Sequence, residues 1–506
     1  MVNENKTPHH NVVFWISSIT VIILVLFGVF LPKVFAKGAN WAFNFTTYAF
    51  GWLFLISVFF FILFCIYLAF GKYGKIKLGS DDEKPEFSFF TWVGMLFSAG
   101  FGIGLVFWGI AEPMSHYFSP PTPDIMGQTP EAARTAMRFS FFHWGISQWS
   151  VFTIVGLAIG YFQFRKKGNS LISTTITPLF RNNIHSFWRH LIDILAVIAT
   201  VMGVATSLGL GILQISGGMN LVFSIPATVY VQLIITVILL VLYLSSSTTG
   251  LNKGIKYLSN LNLSLALILM LFVFIFGPTV FILNSFVQGI GDYFQRFIDM
   301  SLRLRPYSGG KWIRDWTIFY WAWAIAWSPF VGGFIARVSR GRTIREFVIG
   351  VLLIPPLIAL VWTAVFGGTA LHIDLFQNGQ IAEAVDRDVA SALFTTYSYL
   401  PFPILSSILS IILIFTFLIT SADSATFVLG MMTTNGSLNP PMLTKIIWGT
   451  LIAAIAAVLL ISSGLEGLQT ASLISALPFT LILIAMSFSL LASLKKEVFT
   501  KNPKRK

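Results

Sequence analysis

The sequence predicts an all-α membrane protein with twelve transmembrane helices, and three observations carry that prediction. Of 506 residues, 56% are hydrophobic and only 10% charged, against about 25% charged in a soluble domain. Twelve apolar runs are long enough to cross a hydrocarbon core of about 30 Å, which takes roughly 20 helical residues. The third run holds Gly100-Phe101-Gly102-Ile103-Gly104, glycines at alternate positions in the middle of a span.

The runs lie near 12–31, 50–71, 91–110, 139–162, 191–212, 226–246, 258–281, 316–335, 346–366, 403–431, 443–463 and 469–493. The first is too long for a signal-peptide core and lacks a small-residue cleavage site, so it reads as a retained span. An even number of spans puts both termini on one side. Most of the 33 basic residues fall on that side, among them Lys72, Lys75, Lys77, Lys84, Arg165, Lys166, Lys167, Arg337, Arg340, Arg342 and Arg345. The positive-inside rule therefore makes the termini cytoplasmic. The net charge of +13 is accounted for by these loops, so nucleic acid is not an expected partner. Cys65 is the single cysteine and excludes an intramolecular disulfide.

Each glycine in a helix interior costs about 1 kcal/mol relative to alanine. Non-helical backbone is tolerated at membrane depth only where it is buried in protein or lines a cavity. The third span thus reads as broken, with backbone groups facing a site. Close approach of a neighbouring helix is the alternative, but it suits a spacing of three and a half to four residues better than strict alternation. If this span opens a five-helix repeat, the eighth is its mate. There, Trp327-Ser328-Pro329-Phe330 and Gly332-Gly333 predict a second interruption. Between the seventh and eighth spans, Phe286, Ile290, Tyr293, Phe294, Phe297 and Ile298 form one helical stripe, with Asp292, Gln295, Arg296 and Asp299 off it. This predicts an interfacial helix on the outer face, within 284–312. The tail, 494–506, is basic and reads either as a topology signal or as a sensor of anionic lipid.

No His/Glu metal cluster, serine nucleophile elbow or phosphate-binding loop with its lysine is visible in the apolar runs, which argues against an enzyme. The stronger signal is aromatic. Trp144, Trp149 and Phe152 lie on the fourth span and Trp321, Trp323 and Trp327 on the eighth, with Trp149/Phe152 and Trp323/Trp327 sharing faces. Such clusters are either core packing or a cage for a quaternary ammonium, held by cation–π attraction of about 0.5 to 2 kcal/mol per contact. Trp15, Trp52 and Trp448 are expected in the interfacial aromatic belts. On the tenth span, Thr420, Ser421 and Ser424 offer hard oxygens for a small cation, although hydroxyls on membrane helices commonly bond their own helix. Asp423 is an ionisable group inside a span, with Arg337 or Arg340 as candidate partners.

Across nearly its whole length the chain resembles the betaine/carnitine/choline transporter family. The matching stretches are Ser98–Leu105, Trp108–Pro113, Trp316–Trp323, Trp327–Phe330, Ala336–Arg342 and Thr420–Ser424. The resemblance implies a leucine-transporter-like core of two inverted five-helix repeats, 91–281 and 313–493, behind two peripheral helices in 12–71 and a short N-terminal segment, 1–11. It also implies a homotrimer in the lipid of a bacterial cytoplasmic membrane, importing trimethylammonium osmoprotectants, with Na+ as coupling ion and no other cofactor. The solute carboxylate would meet backbone around Ala99, Gly100, Phe101, Gly102 and Ile103. Its ammonium would meet Trp144, Trp149, Phe152, Trp323 and Trp327. One sodium would be held by carbonyls of Ser98, Phe101 and Phe417 with the hydroxyls of Thr420 and Ser421, and a second near Thr200, Val204 and Phe330. The chain departs from the family pattern at Phe101, Phe152, Val204 and Ala324, the last where a further cage tryptophan often stands. Gly104 stands where choline carriers of the family tend to have aspartate, which favours a net-neutral solute. No Lys or Arg lies in 192–213 or 403–431 to replace an ion, so ion coupling is expected. A sodium-independent carnitine/betaine exchanger, choline or ectoine uptake, and a non-transporting membrane sensor are the alternatives.

Overall fold

The computed structural model describes residues 11–100, 102–180, 183–249, 252–307, 309–437 and 439–501. Nineteen α-helices follow in order: α1 Val12–Phe30, α2 Pro32–Phe70, α3 Phe89–Gly100, α4 Ile103–Phe118, α5 Pro130–Trp144, α6 Ile146–Gly160, α7 Ile172–Ile176, α8 Ser186–Phe223, α9 Val229–Thr249 and α10 Asn252–Phe276; then α11 Thr279–Gln295, α12 Phe297–Ser301, α13 Lys311–Ile313, α14 Phe319–Val338, α15 Ile344–Phe376, α16 Ile381–Arg387, α17 Ala392–Tyr397, α18 Pro403–Thr433 and α19 Met442–Lys501. Among the described residues the only extended pairing is a single bridge between Lys77 and Thr343. The all-α expectation holds.

Among the described residues ten helical stretches, one of them α5 and α6 taken together, are long and apolar enough to span a membrane. The difference from twelve has two local causes. The third span is divided into α3 and α4, each too short alone. Conversely, α19 contains two crossings, joined at Gly464, whose backbone is non-helical with φ 57° and ψ −130°. The second helix also begins earlier than the apolar run near 50. Pro32 supplies a preset φ at the first turn, and α2 then continues for 39 residues, separated from α1 by Leu31 alone.

Contacts between loops bring Asn11 and Glu497, near the two ends of the described residues, to one face. Asn11 donates to Asn435 (2.9 Å), and the turn at Gly436 lies against Asn169. Arg165 donates to the Gly79 carbonyl at 2.7 Å and pairs with Glu497 near the end of α19. Arg337 pairs with Glu86 (2.7 Å) and Arg340 with Glu83 (2.5 Å). The loops predicted to share a side thus meet there.

The predicted interruption of the eighth span at Pro329 is not found: α14 runs through it. Proline removes the bond that residue 329 would donate to the Ile325 carbonyl. The Ser328 hydroxyl takes that carbonyl instead at 2.7 Å, so no backbone acceptor is left bare. The glycine pair serves packing. A Cβ on Gly332 would stand 2.6 Å from the Val155 side chain and 2.9 Å from the Gly156 nitrogen, so α6 and α14 cross almost backbone to backbone.

The outer helix starts at Thr279, directly after Pro278, and breaks at Arg296 into α11 and α12. Its stripe is narrower than predicted. Tyr293 is buried and Phe286, Ile290 and Phe297 pack on the core, whereas Phe294 and Ile298 are exposed. Asp292, expected on the solvated side, is buried and accepts two hydrogen bonds from Arg134, each 2.7 Å. That pairing holds its carboxyl below the usual carboxylate range. Trp448 also departs from expectation. It is fully buried and donates to Thr433 (3.0 Å), while Trp15 and Trp52 are exposed as belt residues should be.

Candidate functional site

The third span breaks where the glycines predicted. Gly102 is fully extended (φ −154°, ψ 170°), and α4 starts after it with no side-chain cap. Its carbonyl accepts from Leu105 (3.1 Å) and Val106 (3.3 Å). The amides of Ile103 and Gly104 belong to the first helical turn, which has no intrahelical acceptors. Phe101, expected in both the solute and the sodium sites, lies outside the described residues, and Ala99 and Gly100 are described by backbone alone.

A second break, unforeseen from the sequence, divides the fourth span at Gly145 (φ −83°, ψ −149°). A Cβ there would stand 2.6 Å from both the Tyr293 hydroxyl and the Phe141 carbonyl. Tyr293 on the outer helix caps the new helix start by accepting from the Ile146 amide (3.1 Å). This break separates Trp144, at the end of α5, from Trp149 and Phe152 on α6.

The five aromatics proposed for a cage are brought together. Trp144 meets Trp323 edge to face at 6.2 Å, Trp149 meets Phe152 at 5.2 Å, and Phe152 meets Trp327 at 6.0 Å. Trp323 and Trp327 stack at 6.2 Å. The broken span passes beside them: a Cβ on Gly104 would lie 2.3 Å from Trp323 and 3.1 Å from Trp144.

Below the cage is a cavity of about 750 Å³. Its wall joins Ser98 and Gly102 at the break, Trp327 and Phe330 on α14, and Phe417, Thr420, Ser421 and Asp423 on α18. It extends to Arg337 and Lys445, on the face where the basic loops meet. Of the five cage residues, Trp327 lines this cavity, and the other four are buried behind it. Thr420 donates to the carbonyls of Phe417 (3.0 Å) and Thr416 (3.1 Å) and accepts from Asn262 (3.1 Å). Of the residues expected around one sodium, Ser98, Phe417, Thr420 and Ser421 line this cavity.

The second proposed set is less coherent. Phe330 lines the cavity, its ring 6.0 Å from that of Trp327. Thr200 is fully buried on α8, its hydroxyl donating to the Ala196 carbonyl (2.8 Å). Asp423 does not pair with Arg337 or Arg340, which are taken by Glu86 and Glu83. It accepts instead from Ser246 (2.8 Å).

The apolar runs show no Glu/His metal cluster in sequence, but the fold does bring one Glu and two His together. Glu112, His116 and His143 meet, fully buried, with candidate ligand atoms within 4.8 Å of one another. The visible signal was the spacing of Glu112 and His116, one helical turn apart; His143 lies on another span and joins them only through the fold.

Residues 12–499 match the family model described as betaine/carnitine/choline family transporter. The chain belongs to the betaine/carnitine/choline transporter family. It is a multi-pass membrane transporter and not an enzyme. Among relatives within the family, an ectoine/hydroxyectoine transporter of Virgibacillus pantothenticus is 60% identical over 492 residues, 97% of this chain and 98% of the relative. The glycine betaine transporter OpuD of Bacillus subtilis (strain 168) is 51% identical, covering 97% and 95%. The osmo-dependent choline transporter BetT2 of Acinetobacter baylyi is 38% identical, covering 97% and 72%.

Proposed function

We propose that this transporter imports a small zwitterionic compatible solute, glycine betaine or a close relative, across a bacterial cytoplasmic membrane by sodium symport. The observation that carries the reading is the shared wall: Trp327, the extended backbone at Gly102 and the hydroxyls of Thr420 and Ser421 line one cavity. Sodium symport of a zwitterion calls for three kinds of group. Its cationic end fits an aromatic face, its carboxylate fits uncapped amides at a helix start, and a hard cation fits carbonyl and hydroxyl oxygens.

The cavity reaches the face rich in basic residues, which the positive-inside rule makes cytoplasmic, so this state would release solute inward. Importing a neutral solute with sodium moves net positive charge, and each charge contributes about 2.3 kcal/mol per 100 mV. The Ser98 and Phe417 carbonyls with Thr420 and Ser421 would hold one sodium; Thr200 and Phe330 are weaker candidates for a second. A second solute reading, ectoine, is favoured by the 60% identical relative named for that compound.

The test is uptake of radiolabelled glycine betaine and ectoine into proteoliposomes, with and without an inward sodium gradient. Sodium-dependent accumulation is expected, with the better solute identified by the lower KM. Counterflow without sodium would instead establish an exchanger, and transport of neither solute would refute the zwitterion reading.

A further inference from the structure

We propose that Glu112 is a positioning residue of the aromatic cage, acting on solute through Trp144; this rests on the cage reading above. Glu112 lies on α4, nearly three turns past the break, and is fully buried. Its carboxylate accepts four hydrogen bonds. Oε1 receives His143 Nδ1 (2.6 Å) and His116 Nε2 (3.2 Å); Oε2 receives Trp144 Nε1 (2.8 Å) and the Tyr320 hydroxyl (2.5 Å). The other ring nitrogen of His143, Nε2, lies 2.9 Å from the Thr317 hydroxyl, while the Nδ1 of His116 has no hydrogen-bond partner.

The same three residues invite a metal, and distance decides against it. Two ligands each 2.0–2.1 Å from a tetrahedral zinc stand roughly 3.3 Å apart. The 2.6 Å between Glu112 and His143 is a hydrogen bond.

Two consequences follow for the cage. First, the indole of Trp144 is held by a charge-assisted bond, about twice as strong as a neutral one, and that ring meets Trp323 edge to face at 6.2 Å. The orientation of one cage wall is thereby set from outside the cage. Second, a carboxylate accepting the indole N–H pushes electron density into the ring and makes its face more negative, which strengthens cation–π attraction. Tyr320 completes the clamp, stacked on His143 at 4.7 Å with 12° between the planes. Glu112 thus ties α4, the second half of the broken span, to α5 and α14.

The experiment compares Glu112→Gln, Trp144→Phe and the double variant for glycine betaine and ectoine uptake in proteoliposomes. Glutamine keeps an acceptor for the indole and removes the charge. KM is expected to rise about tenfold in Glu112→Gln with Vmax within twofold, similarly in Trp144→Phe, and no further in the double variant. Multiplicative KM effects, an unchanged KM in either single variant, or a fall in Vmax with KM kept would overturn the proposal. So would a stoichiometric transition metal in the purified wild type that Glu112→Gln loses. If Glu112→Gln does not reach the membrane, Trp144→Phe still decides, because a wild-type KM there removes the route through the indole. Trp327→Ala separates the two readings. Loss of uptake there beside an unchanged KM in Glu112→Gln sinks this proposal alone; wild-type uptake in Trp327→Ala sinks the cage and this proposal with it.

Discussion

Gly104→Ala is the sharpest probe of the cage because it changes nothing chemically and one thing geometrically. The added Cβ would stand 2.3 Å from the outer edge of Trp323, where ordinary contact begins at about 3.4 Å. One of the two must move by about 1.1 Å. Trp323 is not free to yield cheaply: it stacks on Phe319 at 5.9 Å and 5°, and on Trp327 at 6.2 Å and 17°. Trp144, 3.1 Å from the same Cβ, blocks the other side. Overpacking of this kind costs about 1–3 kcal/mol, spread between the helix and the rings. Displacing two cation–π faces, each worth about 0.5–2 kcal/mol, should raise the solute KM by roughly tenfold to a hundredfold, since 1.4 kcal/mol is a factor of ten. Uptake into proteoliposomes reads KM and Vmax separately. A Gly104→Ala protein with normal yield and a wild-type KM would place solute elsewhere than against Trp144 and Trp323.

Four other outcomes are expected. Trp327→Ala, which removes the one cage ring on the cavity wall, should abolish saturable uptake while leaving yield and monodispersity intact. Thr420→Ala, removing a hydroxyl that shares that wall with Phe417 and Ser421, should raise the sodium concentration for half-maximal uptake about tenfold, a loss near 1.4 kcal/mol; an unchanged sodium dependence would remove Thr420 from the ion site. Ser328→Ala leaves the Ile325 carbonyl without its 2.7 Å donor and should lower thermal stability by about 1–3 kcal/mol, read as a lower melting temperature in detergent. Arg134→Ala strands the buried Asp292 carboxylate, whose titration is held low chiefly by hydrogen bonds from Arg134. A depressed carboxyl stabilises above its unfolded value, about 3.9, and that contribution fades as pH falls toward the folded value. The melting-temperature gap between wild type and Arg134→Ala should be full at neutral pH and close below about pH 4; a gap independent of pH would exclude the ion pair as its source.

What was legible in the sequence was local. Alternating glycines in an apolar run have one cheap explanation at membrane depth, so the break at Gly102 could be read without any partner. The loop charges likewise carry their own sidedness, and the loops that share basic residues meet in space. The eighth span was misread because proline's cost is conditional. It breaks a helix when it bares a carbonyl, and Ser328, adjacent in sequence, was already available to cover it. The break at Gly145 was invisible for the opposite reason: its cap, Tyr293, arrives from a helix nearly 150 residues away, and one glycine between Trp144 and Ile146 says nothing alone.

The same distinction explains why the aromatic cluster was legible and its support was not. Trp149/Phe152 and Trp323/Trp327 announce themselves by helical spacing on their own spans. Glu112 needs three spans to become intelligible, since its four donors come from α4, α5 and α14. A carboxylate buried in an apolar span is tolerable only when its oxygens are satisfied, and here each oxygen takes two donors. Because one of those donors is the indole of Trp144, the requirement for satisfying the buried charge and the requirement for holding a cage wall are met by a single bond. Loosening that bond should therefore register in solute affinity before it registers in folding, which is why the KM-to-Vmax split is the decisive readout.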